Sequence, residues 1–309
     1  MKHKIILDCD PGHDDAIAIL LAGHHPDIEL LAITTVAGNQ SLDKTTLNAL
    51  KVCTLAGLTS IPIAKGMDRP LLYEAKHAAN IHGETGLDGP NLPEPAIEPV
   101  NKHAVELIIE LLLHSEGDII LVPTGPLTNI ATAIRSEPAI LPKIKGISLM
   151  GGAIGLGNET PSAEFNIFFD PYAADIVFGC GRPITMTPLE VTHQALATPP
   201  IVERLRSANR PVATLAADLF DFFGATYREV FGFPAPAVHD PCAVAAVIDP
   251  SITKSLMMWV AIDTNGEWTR GRTICDVYGK FGKKPNARVG YALEVDRFWE
   301  MVIETLLSY

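Results

Sequence analysis

The stretch Ile5-Ile6-Leu7-Asp8-Cys9-Asp10-Pro11-Gly12-His13-Asp14-Asp15 packs four carboxylates into eight residues behind a short apolar run. An apolar run closed by Pro-Gly reads as a buried strand leaving a sheet, and Asp14 and Asp15 then open a helix over Ala16 to Ala22. Strand, turn and helix in that order begin an α/β unit, whose ligands gather at the carboxyl ends of the strands. Four like charges so close repel, so either some carry protons or a cation holds them. A solvated loop with an N-cap and an acidic first turn accounts for one or two of the four. It does not account for Asp8 and Asp10 at the strand end together with Asp14 and Asp15, which points to a metal.

Working outward, the alternation continues. Ile28 to Val36 reads as a strand, Leu42 to Ala56 as a helix and Ile61 to Ala64 as a third strand. Residues Gly66 to Pro99 hold five prolines and His82-Gly83-Glu84-Thr85-Gly86, a long irregular excursion of the kind that carries function. Lys102 to His114 and Leu127 to Ser136 are expected helices, and Asp118 to Pro123 and Gly146 to Met150 expected strands. Helices follow over Pro171 to Phe178, Pro199 to Ser207 and Pro211 to Val230, with a strand at Pro183 to Met186. Leu256 to Asp263, Arg272 to Val277 and Ala287 to Val295 look like strands joined too closely for crossover helices, hence an antiparallel extension, closed by a helix over Arg297 to Leu307. The expectation is one domain over 1–309, with an open, mainly parallel Rossmann-like sheet and helices on both faces. The loop Gly151-Gly152-Ala153-Ile154-Gly155-Leu156-Gly157-Asn158 lacks the spacing of a dinucleotide fingerprint.

Composition narrows the function classes. A 309-residue chain that is 47% hydrophobic, with mean hydropathy +0.20, supports a large core. No apolar run approaches the ~18 residues of a membrane span. Met1-Lys2-His3-Lys4 leads straight into the first strand without a leader-like segment, so a cytoplasmic protein is expected. The five cysteines are widely spaced, without a Cys-x-x-Cys pair, and read as reduced, mostly buried thiols. A formal charge of -12 argues against nucleic acid as a partner and for a small-molecule substrate.

Besides the first loop, four others carry polar groups to the expected sheet edge: Ala37 to Gln40, Thr124 to Pro126, Ala163 to Asn166 and Val238 to Pro241. Each has a plain alternative. Asn39 suits an Asx turn, Glu164 and Asn166 a helix entry, and Asp240 before Pro241 an N-cap. The donors are oxygens, which favours a hard cation and suits calcium better than zinc. Cys9 is expected to point away from Asp8 and Asp10, into the core.

With these motifs in order, the chain resembles the inosine-uridine preferring nucleoside hydrolases over nearly its whole length. The match is carried by D-x-D-P-G-x-D-D at Asp8 to Asp15, Ile81 to Glu84, Pro123 to Asn129, Leu149 to Gly152, Ala163 to Asn166 and Val238 to Cys242. The resemblance implies hydrolysis of the N-glycosidic bond of ribonucleosides, inosine or uridine in type, by a calcium-bound water with Asp10 as general base. It implies Asp10, Asp15, Asp240 and the Thr124 carbonyl as Ca2+ ligands. Asp14, Asn39, Glu164, Asn166 and the Met150 backbone would grip ribose, with Asn158 at its 5′ side. His82 and His239 would line the base side, and Tyr227 would sit in a mobile helical segment that closes over the base. At a second aromatic position of that segment Phe223 lacks the hydroxyl of a tyrosine. His239, if protonated or water-linked, would donate to the leaving base, and with Tyr227 it favours a broad inosine and uridine preference. The resemblance also implies a homo-oligomer, tetramer or dimer. Two rivals are a phosphatase of the haloacid dehalogenase type, for which no phosphate-binding Ser, Thr and Lys set is evident, and a non-catalytic nucleoside- or calcium-binding protein.

Overall fold

The computed structural model describes residues 2–309. β1 (His3–Cys9) lies inside an open eight-stranded sheet, flanked by β2 (Ile28–Thr35) and β4 (Ile119–Pro123), both parallel to it. β3 (Ile63–Lys65) closes one side; β5 (Ile144–Met150), β6 (Ile184–Thr187), β10 (Ala287–Leu293) and β7 (Thr253–Met258) extend the other. β8 (Val260–Ile262) and β9 (Thr273–Cys275) pair apart from this sheet.

Strict alternation along β1 fixes the two faces: Ile5, Leu7 and Cys9 enter one core and Ile6 the other. The first core is covered by α1 (His13–His24), α2 (Leu42–Leu55), α9 (Pro199–Ser207), α10 (Pro211–Phe231), α11 (Pro241–Ile248) and α12 (Val295–Ser308). The second lies under α4 (Ala104–His114), α5 (Thr128–Ser136) and α7 (Pro171–Phe178). Short helices α3 (Ala79–His82), α6 (Phe165–Phe169) and α8 (Leu189–Thr192) sit in connections. Strand order runs away from β1 on one side and from β4 on the other, so the loops after these strands part and leave a crevice between them. Asp8 stands level with Thr34 and Pro123, which brings the three strand ends to one height.

The mainly parallel open sheet with helices on both faces is as expected, but its C-terminal third is not an all-antiparallel extension. β10 runs parallel to β6, with Val289 opposite Met186, and within the eight-stranded sheet β7 alone is antiparallel. The expected strand Leu256 to Asp263 breaks after Met258, and its second part pairs with β9 in antiparallel register. The long segment between β6 and β10 supplies a crossover that the short links between the last strands do not reveal. Among the described residues, no helix is long and apolar enough to cross a membrane.

Candidate active site

The carboxylates arrive from two ends of the chain. β1 delivers Asp10, the first turn of α1 delivers Asp14 and Asp15, and Asp240 stands before α11 with Pro241 at its first turn. Asp240 makes no capping hydrogen bond, so its side chain serves no helix end. One oxygen each from Asp14, Asp15 and Asp240 lie within 4.8 Å of one another. This trio contains Asp14, expected on the ribose, while Asp10 lies beside it. Asp10 Oδ2 accepts from the Asn39 amide at 2.6 Å, and its Oδ1 is buried without a partner. Gly38 and Gly125 close around Asp10: a Cβ on either would come within 2.1 Å or 2.4 Å of a carboxylate oxygen. Asp15 accepts from Gly12 N–H at 3.1 Å, Asn39 Nδ2 at 3.3 Å and Thr124 Oγ1 at 2.8 Å.

Asp8 belongs elsewhere. Its Oδ1 accepts from Thr34 Oγ1 at 2.5 Å and Asn129 Nδ2 at 2.8 Å, tying β1 to β2 and α5. A nucleophilic role for this first aspartate, as a phosphatase would need, finds no opening into the cavity.

Burial pushes all these acids up. Asp14 reaches about 7, first by burial and then by Asp15. Asp10, Asp15 and Asp240 shift the same way, chiefly by burial. Among the described residues, no lysine or arginine forms an ion pair with any of them. A buried, oxygen-only donor set with a free Asp10 Oδ1 fits a hard divalent cation, which would restore the charges that burial disfavours.

A cavity of about 470 Å³ opens from this cluster, and every expected site residue except Asp10 and Asp15 lines it. Its polar wall is braced by backbone. Glu164 is the N-cap of α6 and accepts from Asn166 N–H, Ile167 N–H and Gly152 N–H, at 2.9, 3.2 and 2.8 Å. The helix-entry reading of Glu164 therefore holds together with its place in the cavity. Burial holds Glu164 up to about 7. Asn166 Nδ2 donates to the carbonyls of Thr124 at 2.8 Å and Met150 at 3.3 Å, joining the ends of β4 and β5. Asn158 Oδ1 accepts from Phe165 N–H at 2.9 Å.

The opposite wall is aromatic, built by Phe223, Tyr227 and Phe231 of α10 with His82 and His239. Tyr227 Oη and His239 Nε2 lie 2.5 Å apart, and His239 Nδ1 lies 2.7 Å from Thr192 Oγ1. Burial, then neighbouring His193, lower His239 to about 3, which favours the neutral ring. Low-dielectric surroundings disfavour the imidazolium, which leaves the water-linked form of the expected donor. His82 is also lowered by burial, and its Nδ1 faces His13 Nδ1 at 3.3 Å.

Two participants were not anticipated. His13, inside the opening motif, stacks on Phe222 and Phe223 and bonds the Asp88 carbonyl through Nε2 at 2.9 Å, supporting His82 from behind. Thr192 orients His239 from a one-turn helix 47 residues away. Only the imidazole in the acidic run offered a signal for His13; nothing local marks Thr192.

Fold and cavity together define an α/β enzyme for a small molecule with one polar and one planar, apolar part. A family model described as inosine-uridine preferring nucleoside hydrolase matches residues 5–300. The pyrimidine-specific ribonucleoside hydrolase RihB of Escherichia coli O1:K1 / APEC is 49% identical over 308 residues, covering 100% of this chain and 98% of its own. Among solved structures, the purine-preferring ribonucleoside hydrolase from Gardnerella vaginalis superposes with TM-score 0.93 at 35% identity, over 99% of this chain and 98% of that one. The plant nucleoside hydrolase PpNRh1 gives 0.92 at 30% identity, covering 100% of both chains. The chain belongs to the inosine-uridine preferring nucleoside hydrolase family.

Proposed function

We propose that this enzyme hydrolyses the N-glycosidic bond of pyrimidine ribonucleosides to free base and ribose. The observation that carries the reading is one cavity with a carboxylate cluster at its floor and an aromatic-imidazole wall opposite a hydrogen-bonding one. Bond cleavage makes the sugar cationic and the base anionic, so the enzyme must stabilise both and deliver water.

Asp10, Asp15, Asp240 and the Thr124 carbonyl would hold calcium, which when bound polarises water and anchors vicinal hydroxyls. Asp10 Oδ1, free of donors, accepts the proton of the attacking water. Asp14, Asn39, Glu164, Asn166 and the Met150 backbone bind the ribose, with its 5′ end toward Asn158. Tyr227 and Phe223 pack on the base beside His82 and His239.

A His239 held toward its neutral form is a weak proton source, and purine departure generally needs strong protonation of the leaving base. Together with a pyrimidine-specific relative at 49% identity, this favours uridine and cytidine over the broader inosine and uridine preference first expected. The same proposal includes cytoplasmic action and a homo-oligomer, tetramer or dimer, covering exposed Leu256 and Met257 of edge strand β7.

A panel of ribonucleosides assayed for free ribose, with and without a chelator, tests it. Uridine and cytidine should be cleaved at least about tenfold faster than inosine, and chelation should abolish all turnover reversibly. Inosine cleaved as fast as uridine would overturn the pyrimidine preference, and activity untouched by chelation would overturn the cation.

A further inference from the structure

Two loops meet across the mouth of the cavity. Lys76 comes from the excursion between β3 and α4, Glu159 from the glycine-rich loop after β5, and Nζ lies 2.7 Å from Oε1. Both residues line the cavity, yet the lysine side chain is 72% exposed and the glutamate only 21%. The carboxylate is thus the covered member of the pair. The Glu159 backbone N–H donates to the Ala163 carbonyl at 3.2 Å, which fixes its turn next to Asn158. Its charge reaches into the cavity, where it adds to burial in raising Glu164. The lysine ammonium also lies 5.8 Å from the centre of the Phe168 ring, and Arg270 covers the same ring at 4.0 Å.

An ion pair this exposed contributes little to folding stability. Its effect is on what the mouth admits. We infer that the Lys76-Glu159 pair is a charge clasp that excludes 5′-phosphorylated nucleosides, Glu159 repelling the phosphate and withholding Lys76 from it. The inference rests on the proposed function, with the ribose 5′ end toward Asn158. A phosphate there would extend toward Glu159, and a dianion ~5 Å from a carboxylate in watery surroundings loses about tenfold in affinity. Removing the carboxylate charge both ends the repulsion and frees an ammonium for the phosphate.

The test is the ratio of the inhibition constant of uridine 5′-monophosphate to the KM of uridine. In Glu159→Gln the ratio should fall about tenfold from the wild-type value. In the double variant K76M/E159Q the ratio should stay below the wild-type value, because the repelling carboxylate is gone, but fall less than in Glu159→Gln, because the freed ammonium is gone too. A Glu159→Gln ratio within about twofold of wild type overturns the clasp. Wild-type enzyme that releases no base from any ribonucleoside would instead overturn the hydrolase reading. In that event, dissociation constants of uridine and its monophosphate, from calorimetry on the same three proteins, give the ratio and still decide the clasp.

Discussion

Asp10 lies behind the lining of the cavity floor, with one oxygen pinned by the Asn39 backbone N–H and the other unbonded. Asparagine in its place keeps the size and much of the contact but accepts no proton. Asp10→Asn should therefore bind nucleoside and retain its cation while losing about 10² to 10⁴ in kcat, measured by steady-state kinetics beside metal analysis. Near-normal turnover with normal cation content would remove Asp10 from that role. Single residues also show where local sequence stops being informative. Glu164 and Asp240 both stand before a helix, and each suits capping equally well. In the fold Glu164 caps and Asp240 does not, because only long-range packing decides which oxygens are already taken. His13 and Thr192 act through partners far along the chain, at Asp88 and His239, so no nearby spacing could mark them.

At the scale of elements, α10 matters through its last turns, which carry Tyr227 and Phe231 into the cavity. Gly232 ends this helix in the left-handed region at φ 69°, and its N–H donates to the Tyr227 carbonyl. Alanine there is strained by about 1 kcal/mol. Gly232→Ala should fray the final turn and raise KM for uridine by a few-fold, about 2 to 5, with a smaller change in kcat. An unchanged KM in a correctly folded variant would mean that this turn need not hold its geometry during binding. Elements were legible wherever their signals were local. Proline at the first turn of Pro171–Phe178 and Pro199–Ser207 set both helix starts, and the apolar run closed by Pro-Gly set β1. The last strands were legible as strands but not as partners, because β10 chooses β6 across a segment that includes four helices.

Across the whole molecule, the acidic cluster ties stability to pH and, under the proposed function, to the cation. Burial raises Asp14 to about 7 and moves Asp10, Asp15 and Asp240 in the same direction. With folded-state pKa values above those of the unfolded chain, cation-free protein binds more protons when native. The stabilising contribution is full below the ordinary carboxylate range and is lost as pH rises through about 7. The Tm of chelated protein should fall between about pH 5 and about pH 7.5, and saturating calcium should restore it most at the upper end. Ligand at ~100 times its Kd adds ~2.7 kcal/mol, enough to see in a thermal melt. A chelated Tm that does not fall with pH would mean the cluster keeps its protons or its charge in both states. The His239 amide reaches back to Asp14 at 3.3 Å across 225 residues of chain. On a ribosome adding ~5 to 20 residues per second, α1 emerges on the order of tens of seconds before Asp240 exists. Its carboxylates wait without their fourth member, so under the proposed cation site tight capture of an ion would be a property of the finished chain, and retained metal in a pulse-labelled preparation would report completed folding.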